Sequence, residues 1–154
     1  MTGLANGTGY VFRVSATNDA GTGGVSDESE PAVVPYKTPD APVSVEASPG
    51  DSQVDVSWRP GGTGGSGVPS YTVTANPGGA TCTTVSTDTD PLSCTVDNLV
   101  NGTEYTFTVV ATNAAGDSEA DTSDSVTPRT VPGAPVITSA SPAATQQVAV
   151  SWTA

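Results

Sequence analysis

A stretch of 18 residues occurs twice in this chain, with its two copies 95 residues apart. The copy at 4–21 reads LANGTGYVFRVSATNDAG and the copy at 99–116 reads LVNGTEYTFTVVATNAAG, so 12 of 18 positions are identical. A second pair of similar stretches, at 39–58 and 132–152, recurs at nearly the same distance. A period of about 94 residues is much longer than a solenoid unit and has the size of an independent domain.

This period predicts how the chain is divided. One whole copy occupies 38–130, while 1–37 is the last part of a preceding copy and 131–154 is the first part of a following one. Two proline-rich junctions, VPYKTPDAP at 34–42 and TPRTVPGAP at 127–135, separate the copies. Such junctions should be short and stiff linkers, because proline restricts the backbone.

Apolar and polar residues alternate along short segments of the whole copy, as in strands that bury one side and expose the other. The segment 54–58 reads VDVSW and the segment 105–111 reads YTFTVVA. Long runs of helix-forming residues are scarce, whereas Gly and Pro are frequent, which favours strands joined by tight turns. The sequence predicts an all-β sandwich of seven antiparallel strands, near 43–45, 54–58, 71–74, 82–84, 92–96, 105–111 and 118–127.

The chain has two cysteines, and an even number in a small β-rich chain favours a disulfide formed in an oxidising compartment. The turn-forming residues STDTDP lie between Cys82 and Cys94, and a hairpin folded about Asp88 would set the two cysteines opposite each other. Two buried free thiols are the alternative. A metal site would need further ligands, and the chain has no His.

Several motifs of the whole copy together resemble a fibronectin type III domain. They are the entry PDAP at 39–42, Trp58 in the second strand, GGSGVPSYTV at 64–73, and the run L-x-N-G-T-x-Y-x-F-x-V-x-A-x-N that begins at Leu99. The resemblance implies an immunoglobulin-like sandwich in which Leu99 and Tyr105 form a corner, with the tyrosine hydroxyl bonded to nearby backbone. The residues expected in the structural core are Trp58, Tyr71, Leu99, Tyr105, Phe107 and Val109.

The cysteine pair and ATNAAG at 111–116 look like the bacterial, secreted subset of this family. The resemblance therefore implies a tandem array of such domains on a secreted or cell-surface bacterial protein. The predicted function is a non-catalytic spacer whose partners are neighbouring domains of the same longer protein, with a cell-wall, polysaccharide or protein ligand also open. The alternatives are an adhesin-type binding module and the non-catalytic part of an extracellular glycoside hydrolase.

Charge and composition exclude several other classes of function. The net charge of −12 argues against nucleic acid and anionic membranes as partners, because both are bound by clustered cations. No run of 18 apolar residues is present, so membrane insertion is not expected. The absence of His and of a nucleophile beside a base predicts that the chain is not an enzyme, and no cofactor is expected.

Four local motifs have a plainer structural interpretation. GGTGGSG at 61–67 lacks the Lys of a nucleotide-binding loop and is interpreted as a flexible connection between strands. The sequons that begin at Asn6 and Asn101 are interpreted as Asn-Gly turns. Two acidic sets could suggest calcium, but their spacing does not predict ligands that converge on one ion: Asp88 and Asp90, and Asp117, Glu119, Asp121 and Asp124.

Aromatic residues do not predict a platform for sugars. Tyr36 lies in a linker, where packing at a domain junction would explain it. The other seven occupy inward positions of predicted strands: Tyr10, Phe12, Trp58, Tyr71, Tyr105, Phe107 and Trp152.

The two ends of the chain are predicted to be incompletely packed. The partial copies lack the third, fourth and fifth strands of a sandwich, so their inward residues should be incompletely covered. The ends should therefore be less ordered than 39–128, or should pair wrongly through their exposed strand edges. Met1 occupies the position equivalent to Val96, which predicts an internal start or a boundary within a longer array.

Overall fold

The computed structural model describes residues 1–67, 70–85 and 91–153. Within these residues it contains strands and no helix, so the all-β prediction is confirmed. The strands are β1 (Thr17–Asn18), β2 (Gly21–Thr22), β3 (Val43–Pro49), β4 (Gln53–Arg59), β5 (Ser70–Asn76), β6 (Thr81–Val85), β7 (Leu92–Asp97), β8 (Thr106–Asn113), β9 (Gly116–Asp117), β10 (Asp121–Thr122), β11 (Val136–Ala144) and β12 (Gln147–Thr153).

Strands β3 to β10 build two antiparallel sheets that share one core. One sheet has the order β3-β4-β7, and the other has the order β10-β8-β5-β6 with β9 also paired to β8. The chain changes sheet between β4 and β5, between β6 and β7, and between β7 and β8. The inner faces of both sheets meet in a single hydrophobic cluster, as in a sandwich.

The period-two patterns explain which side chains enter the core. In β4 the apolar side chains are buried and the polar ones between them face outward, and β5, β7 and β8 repeat this arrangement. Burying one large apolar side chain contributes about 1.5–3 kcal/mol, so the core is the main source of stability. The buried apolar residues are Val54, Val56, Trp58, Tyr71, Val73, Ala75, Leu92, Val96, Leu99, Tyr105, Phe107, Val109 and Ala111.

The last strand is broken into short pieces instead of running through 118–127. Two serine hydroxyls take the place of backbone carbonyls in its ladder with β8. Ser118 Oγ accepts the backbone N–H of Ala111 at 3.0 Å, and Ser123 Oγ accepts that of Phe107 at 3.1 Å. A side chain that replaces a carbonyl displaces the backbone from regular register, so only β9, β10 and a bridge at Val126 remain.

The two ends of the chain bury little of their apolar surface. In the first, Tyr10 forms an isolated bridge with Val33, and β1 pairs with β2. In the second, β11 and β12 form an antiparallel hairpin. Trp152 is 64% exposed, whereas Trp58, at the equivalent point of the other hairpin, is 1% exposed. In the described residues β12 is hydrogen-bonded to β11 alone. By contrast, β4 is hydrogen-bonded to both β3 and β7, and it packs against the facing sheet.

Candidate functional site

The two cysteines form a disulfide, and this disulfide joins the two sheets. Cys82 in β6 lies opposite Val73 of β5, and Cys94 in β7 lies opposite Val56 of β4. The expectation of a hairpin between the cysteines is therefore wrong, because their strands pair with different neighbours. Alternation of apolar and polar residues shows which face of a strand is buried, but it does not show which sheet the strand joins. Asp88, the expected turn centre, lies outside the described residues.

The residues predicted for the core belong to the buried cluster, and the two cysteines pack against this cluster. Trp58 and Tyr71 are buried in it with ring centroids 5.5 Å apart, and burial raises the pKa of the Tyr71 phenol above its ordinary value of 10.0. Phe107 and Val109 come from β8 and are fully buried. Leu99 is 5% exposed. All five are apolar or aromatic groups inside the sandwich, so they have a packing role and offer no surface to a ligand.

Tyr105 closes the corner that the sequence resemblance implies. Its hydroxyl accepts the backbone N–H of Val100 at 3.1 Å, while the ring is 6% exposed. The same bond recurs in the first segment, where Tyr10 Oη accepts the backbone N–H of Ala5 at 2.9 Å. Tyr10 is only partly buried and this second bond is solvent-exposed. The same tyrosine corner therefore occurs in both segments, but the corner at Tyr105 is buried more completely than the corner at Tyr10.

Further backbone contacts repeat with the same separation of 95 residues. Asn18 Oδ1 accepts the N–H of Ala20, and Asn113 Oδ1 accepts that of Ala115. The strand pairs β1–β2 and β8–β9 have equivalent registers, with Thr17 opposite Thr22 and Thr112 opposite Asp117. The 18 residues of the repeat thus encode one local structure, which forms both inside and outside the sandwich.

The turn at Asn101 joins two loops of the sandwich. Asn101 Oδ1 accepts the backbone N–H of Ser52 at 2.9 Å, and Asn101 Nδ2 donates to Asp51 Oδ1 at 2.7 Å. The bond from Asn101 holds the pKa of the Asp51 carboxyl below its ordinary value of 3.8. Gly102 has a φ of +83°, as an Asn-Gly turn requires. The turn interpretation of this sequon is therefore correct.

Loop 61–67 connects β4 to β5 and does not open a helix, so it lacks the frame of a nucleotide-binding loop. Its backbone lies against residues 37–41 of the preceding linker. The sequence interpretation as a flexible connection missed this contact. The one available signal was the number of glycines, because a backbone can approach another closely only where no Cβ intervenes.

The acidic residues do not converge on a metal position. Among residues 1–67, 70–85 and 91–153 no group of three or more His, Cys, Asp or Glu could hold an ion. Asp117 instead accepts a hydrogen bond from Thr112 Oγ1 at 2.6 Å. Asp88 and Asp90 lie outside the described residues.

Two open depressions on the described surface lack the features of a catalytic cleft. One depression, of 420 Å³, lies along 16–23. Asp19 is the one acidic residue in that stretch of sequence, and it does not line the depression. The other, of 320 Å³, is bordered by Glu46 and Asp124. Both carboxylates are exposed to solvent, unlike the desolvated acid that general acid catalysis requires. No helix of the described part is long and apolar enough to cross a membrane.

Comparisons with known proteins agree with this geometry. A model of the fibronectin type III domain family matches residues 39–129. Fibronectin type-III domain-containing protein 3a of Gallus gallus is 34% identical over 88% of the chain and 12% of its own length. Protein sidekick-2 of Mus musculus is 35% identical over 98% of the chain and 7% of its own length. The chain therefore spans only a small part of either relative.

A solved structure gives a similar result for the fold. The crystal structure of domains A168-A170 from titin matches with a TM-score of 0.56 and 26% identity, over 83% of this chain and 44% of that one. The two curated relatives are animal proteins, so the prediction of a bacterial subset is not supported.

Proposed function

Because the chain belongs to the fibronectin type III family, whose domains are commonly non-catalytic structural or interaction modules of multidomain proteins, we propose that it is a structural spacer. In this proposal the chain is part of a tandem array. One whole domain occupies 38–130, with the end of a preceding domain at 1–37 and the start of a following one at 131–154. Its partners are the neighbouring domains of a longer protein.

The observation that carries the proposal is the recurrence of one local structure at two places. Tyr10 and Tyr105 accept equivalent backbone bonds, from Ala5 and Val100 respectively. A corner of this kind is protected from water only where a sandwich covers it, so its presence in the first segment supports a second domain of the same kind. Domains joined by short proline-rich linkers keep the parts of a protein at a defined distance, which supports the spacer function.

An extracellular location is part of the proposal. The Cys82–Cys94 disulfide supports it, because such bonds form and persist in oxidising compartments. The composition agrees with an exposed and highly hydrated module, since the chain has 16 acidic residues and 4 basic ones. A spacer with this surface keeps its neighbours apart and attracts few polyanions.

Binding measurements on the full chain test the spacer against the adhesin alternative. The chain is titrated against cell-wall polysaccharide and against extracellular matrix protein, with Glu119→Ala in the loop after β9 and Glu46→Ala on strand β3 as matched variants. The spacer predicts no saturable binding by any of the three proteins. Saturable binding that Glu119→Ala abolishes and Glu46→Ala preserves would replace the spacer by a loop-based binding module.

A further inference from the structure

The loop between β4 and β5 is bonded to the linker that precedes the sandwich. The backbone N–H of Lys37 donates to Gly64 O at 2.9 Å, and that of Asp40 donates to Gly62 O at 2.9 Å. These bonds satisfy two backbone donors of a segment that has no strand of its own. The linker is thus attached to the sandwich before β3 begins.

Three glycines allow the loop to approach its neighbours closely: Gly61 and Gly64 face the linker, and Gly65 faces the first segment. A Cβ at Gly64 would overlap Lys37 O and lie 2.7 Å from Thr38 O. A Cβ at Gly61 would lie 2.6 Å from Asp40 O, and a Cβ at Gly65 would lie 2.9 Å from the carbonyl carbon of Asn6. Each distance is shorter than any ordinary contact of a side chain. The loop therefore has no room for side chains at the points where it meets the linker and the first segment.

A side chain of the sandwich completes the contact. Asn113 Nδ2 donates to Lys37 O at 2.8 Å and to Thr63 O at 2.9 Å, so it links the linker to the loop. Its Oδ1 accepts the local N–H of Ala115, as Asn18 Oδ1 accepts that of Ala20. The repeated Asn thus has one local bond in both copies, and in the sandwich it has two further bonds, one to the linker and one to loop 61–67.

The first segment holds the other end of the linker. The backbone N–H of Gly7 donates to Pro35 O at 2.9 Å, and Gly7 would meet Gly65 Cα at 3.3 Å if it carried a Cβ. Between Pro35 and Lys37, one residue, Tyr36, separates the two points of attachment. A linker bonded on both sides with so short a gap leaves little freedom for rotation of one unit against the other.

We propose that loop 61–67 and Asn113 form a socket for residues 37–41 of the linker, which fixes the first segment and the sandwich as one rigid body. The socket deepens the spacer function proposed above and rests on it, because a spacer sets a defined direction only if its joints do not bend. The partner that the socket accepts is a linker of the same chain, presented beside the corner turn of the preceding domain.

A pair of glycine substitutions tests the socket. Gly64 has a φ of +72° and Gly79 a φ of +68°, so alanine strains the backbone equally at both positions. Only at Gly64 would the added methyl group enter the linker, since a Cβ at Gly79 meets no atom within 4 Å. Gly79→Ala is therefore a matched control for Gly64→Ala.

The readout is the distance distribution between two labels on the full chain. Labels are placed through Thr17→Cys and Ser57→Cys, one on each side of the joint, and measured by pulsed electron spin resonance. The wild-type background should give one narrow distribution, Gly64→Ala a broad one, and Gly79→Ala the narrow one again. Hydrogen exchange at the Lys37 and Asp40 amides should accelerate at least tenfold in Gly64→Ala alone.

A second pair keeps the test decisive if Gly64→Ala impairs folding. Asn113→Asp retains the acceptor for Ala115 and loses both donors, while Asn18→Asp makes the same change where no such donor bond is described. Broadening by Asn113→Asp and not by Asn18→Asp supports the socket. A broad wild-type distribution in a chain that still unfolds cooperatively overturns the socket and leaves the spacer function standing.

Discussion

The hydroxyl of Tyr105 should stabilise the sandwich measurably, while the equivalent hydroxyl of Tyr10 should not. Tyr105→Phe removes the acceptor of the Val100 N–H, a part-buried bond of 3.1 Å, beside a ring that is 6% exposed. A hydrogen bond of this kind contributes about 0.5–1.5 kcal/mol net, and a part-buried donor left without its acceptor adds to the loss. We expect Tyr105→Phe to lower the free energy of unfolding by about 1–2 kcal/mol.

Tyr10→Phe removes the equivalent acceptor from Ala5, but that bond is solvent-exposed and water can replace it. The expected loss is below about 0.5 kcal/mol. For a domain of this size, 1 kcal/mol corresponds to a Tm change of about 4–8 °C, so the two variants should be resolved easily.

The assay is urea unfolding and calorimetry of the full chain, in a Trp152→Phe background so that Trp58 is the remaining indole probe. Tyr105→Phe should shift the midpoint without changing the slope of the unfolding free energy. Equal losses for Tyr105→Phe and Tyr10→Phe would refute the reasoning, because they would show that cover by the sandwich does not determine the strength of the bond.

Three further predictions concern the disulfide and two titrating groups. Replacing Cys82 and Cys94 together by alanine should lower the free energy of unfolding by about 3 kcal/mol on the chain-entropy model; no change in urea midpoint would contradict this. The hydrogen bond from Asn101 lowers the pKa of Asp51, so the ionised Asp51 should stabilise the fold above pH 3.8, and this stabilisation should be lost as the pH falls through the folded-state pKa. An NMR titration midpoint of Asp51 at or above 3.8 would disprove this. Burial raises the pKa of Tyr71, so the contribution of its neutral phenol to the free energy of unfolding should be fully present below pH 10.0 and should be lost as the pH rises through the folded-state pKa. Tyr71→Phe should remove this alkaline loss when unfolding is measured as a function of pH.

The relation between sequence and site is clearest at the cysteines and the glycine loop. The pairing of Cys82 with Cys94 followed from their number, but the hairpin inferred for them was wrong, because β6 and β7 belong to different sheets. Alternation repeats every two residues in every strand, so it contains no information on which strand lies beside which. The contact of loop 61–67 with the linker depends on residues far apart in sequence and likewise has no local signature.

By itself, the sequence determined the all-β class, the buried faces of the strands and the repetition of one local structure. These features depend on near neighbours: alternating Val54, Val56 and Trp58, or the turn that precedes Tyr105. Only the tertiary structure decided the sheet order, the inter-sheet position of the disulfide and the closeness of the linker to its loop. Identical residues at Tyr10 and Tyr105 form the same bond, yet only the packing of two complete sheets protects one of them from water.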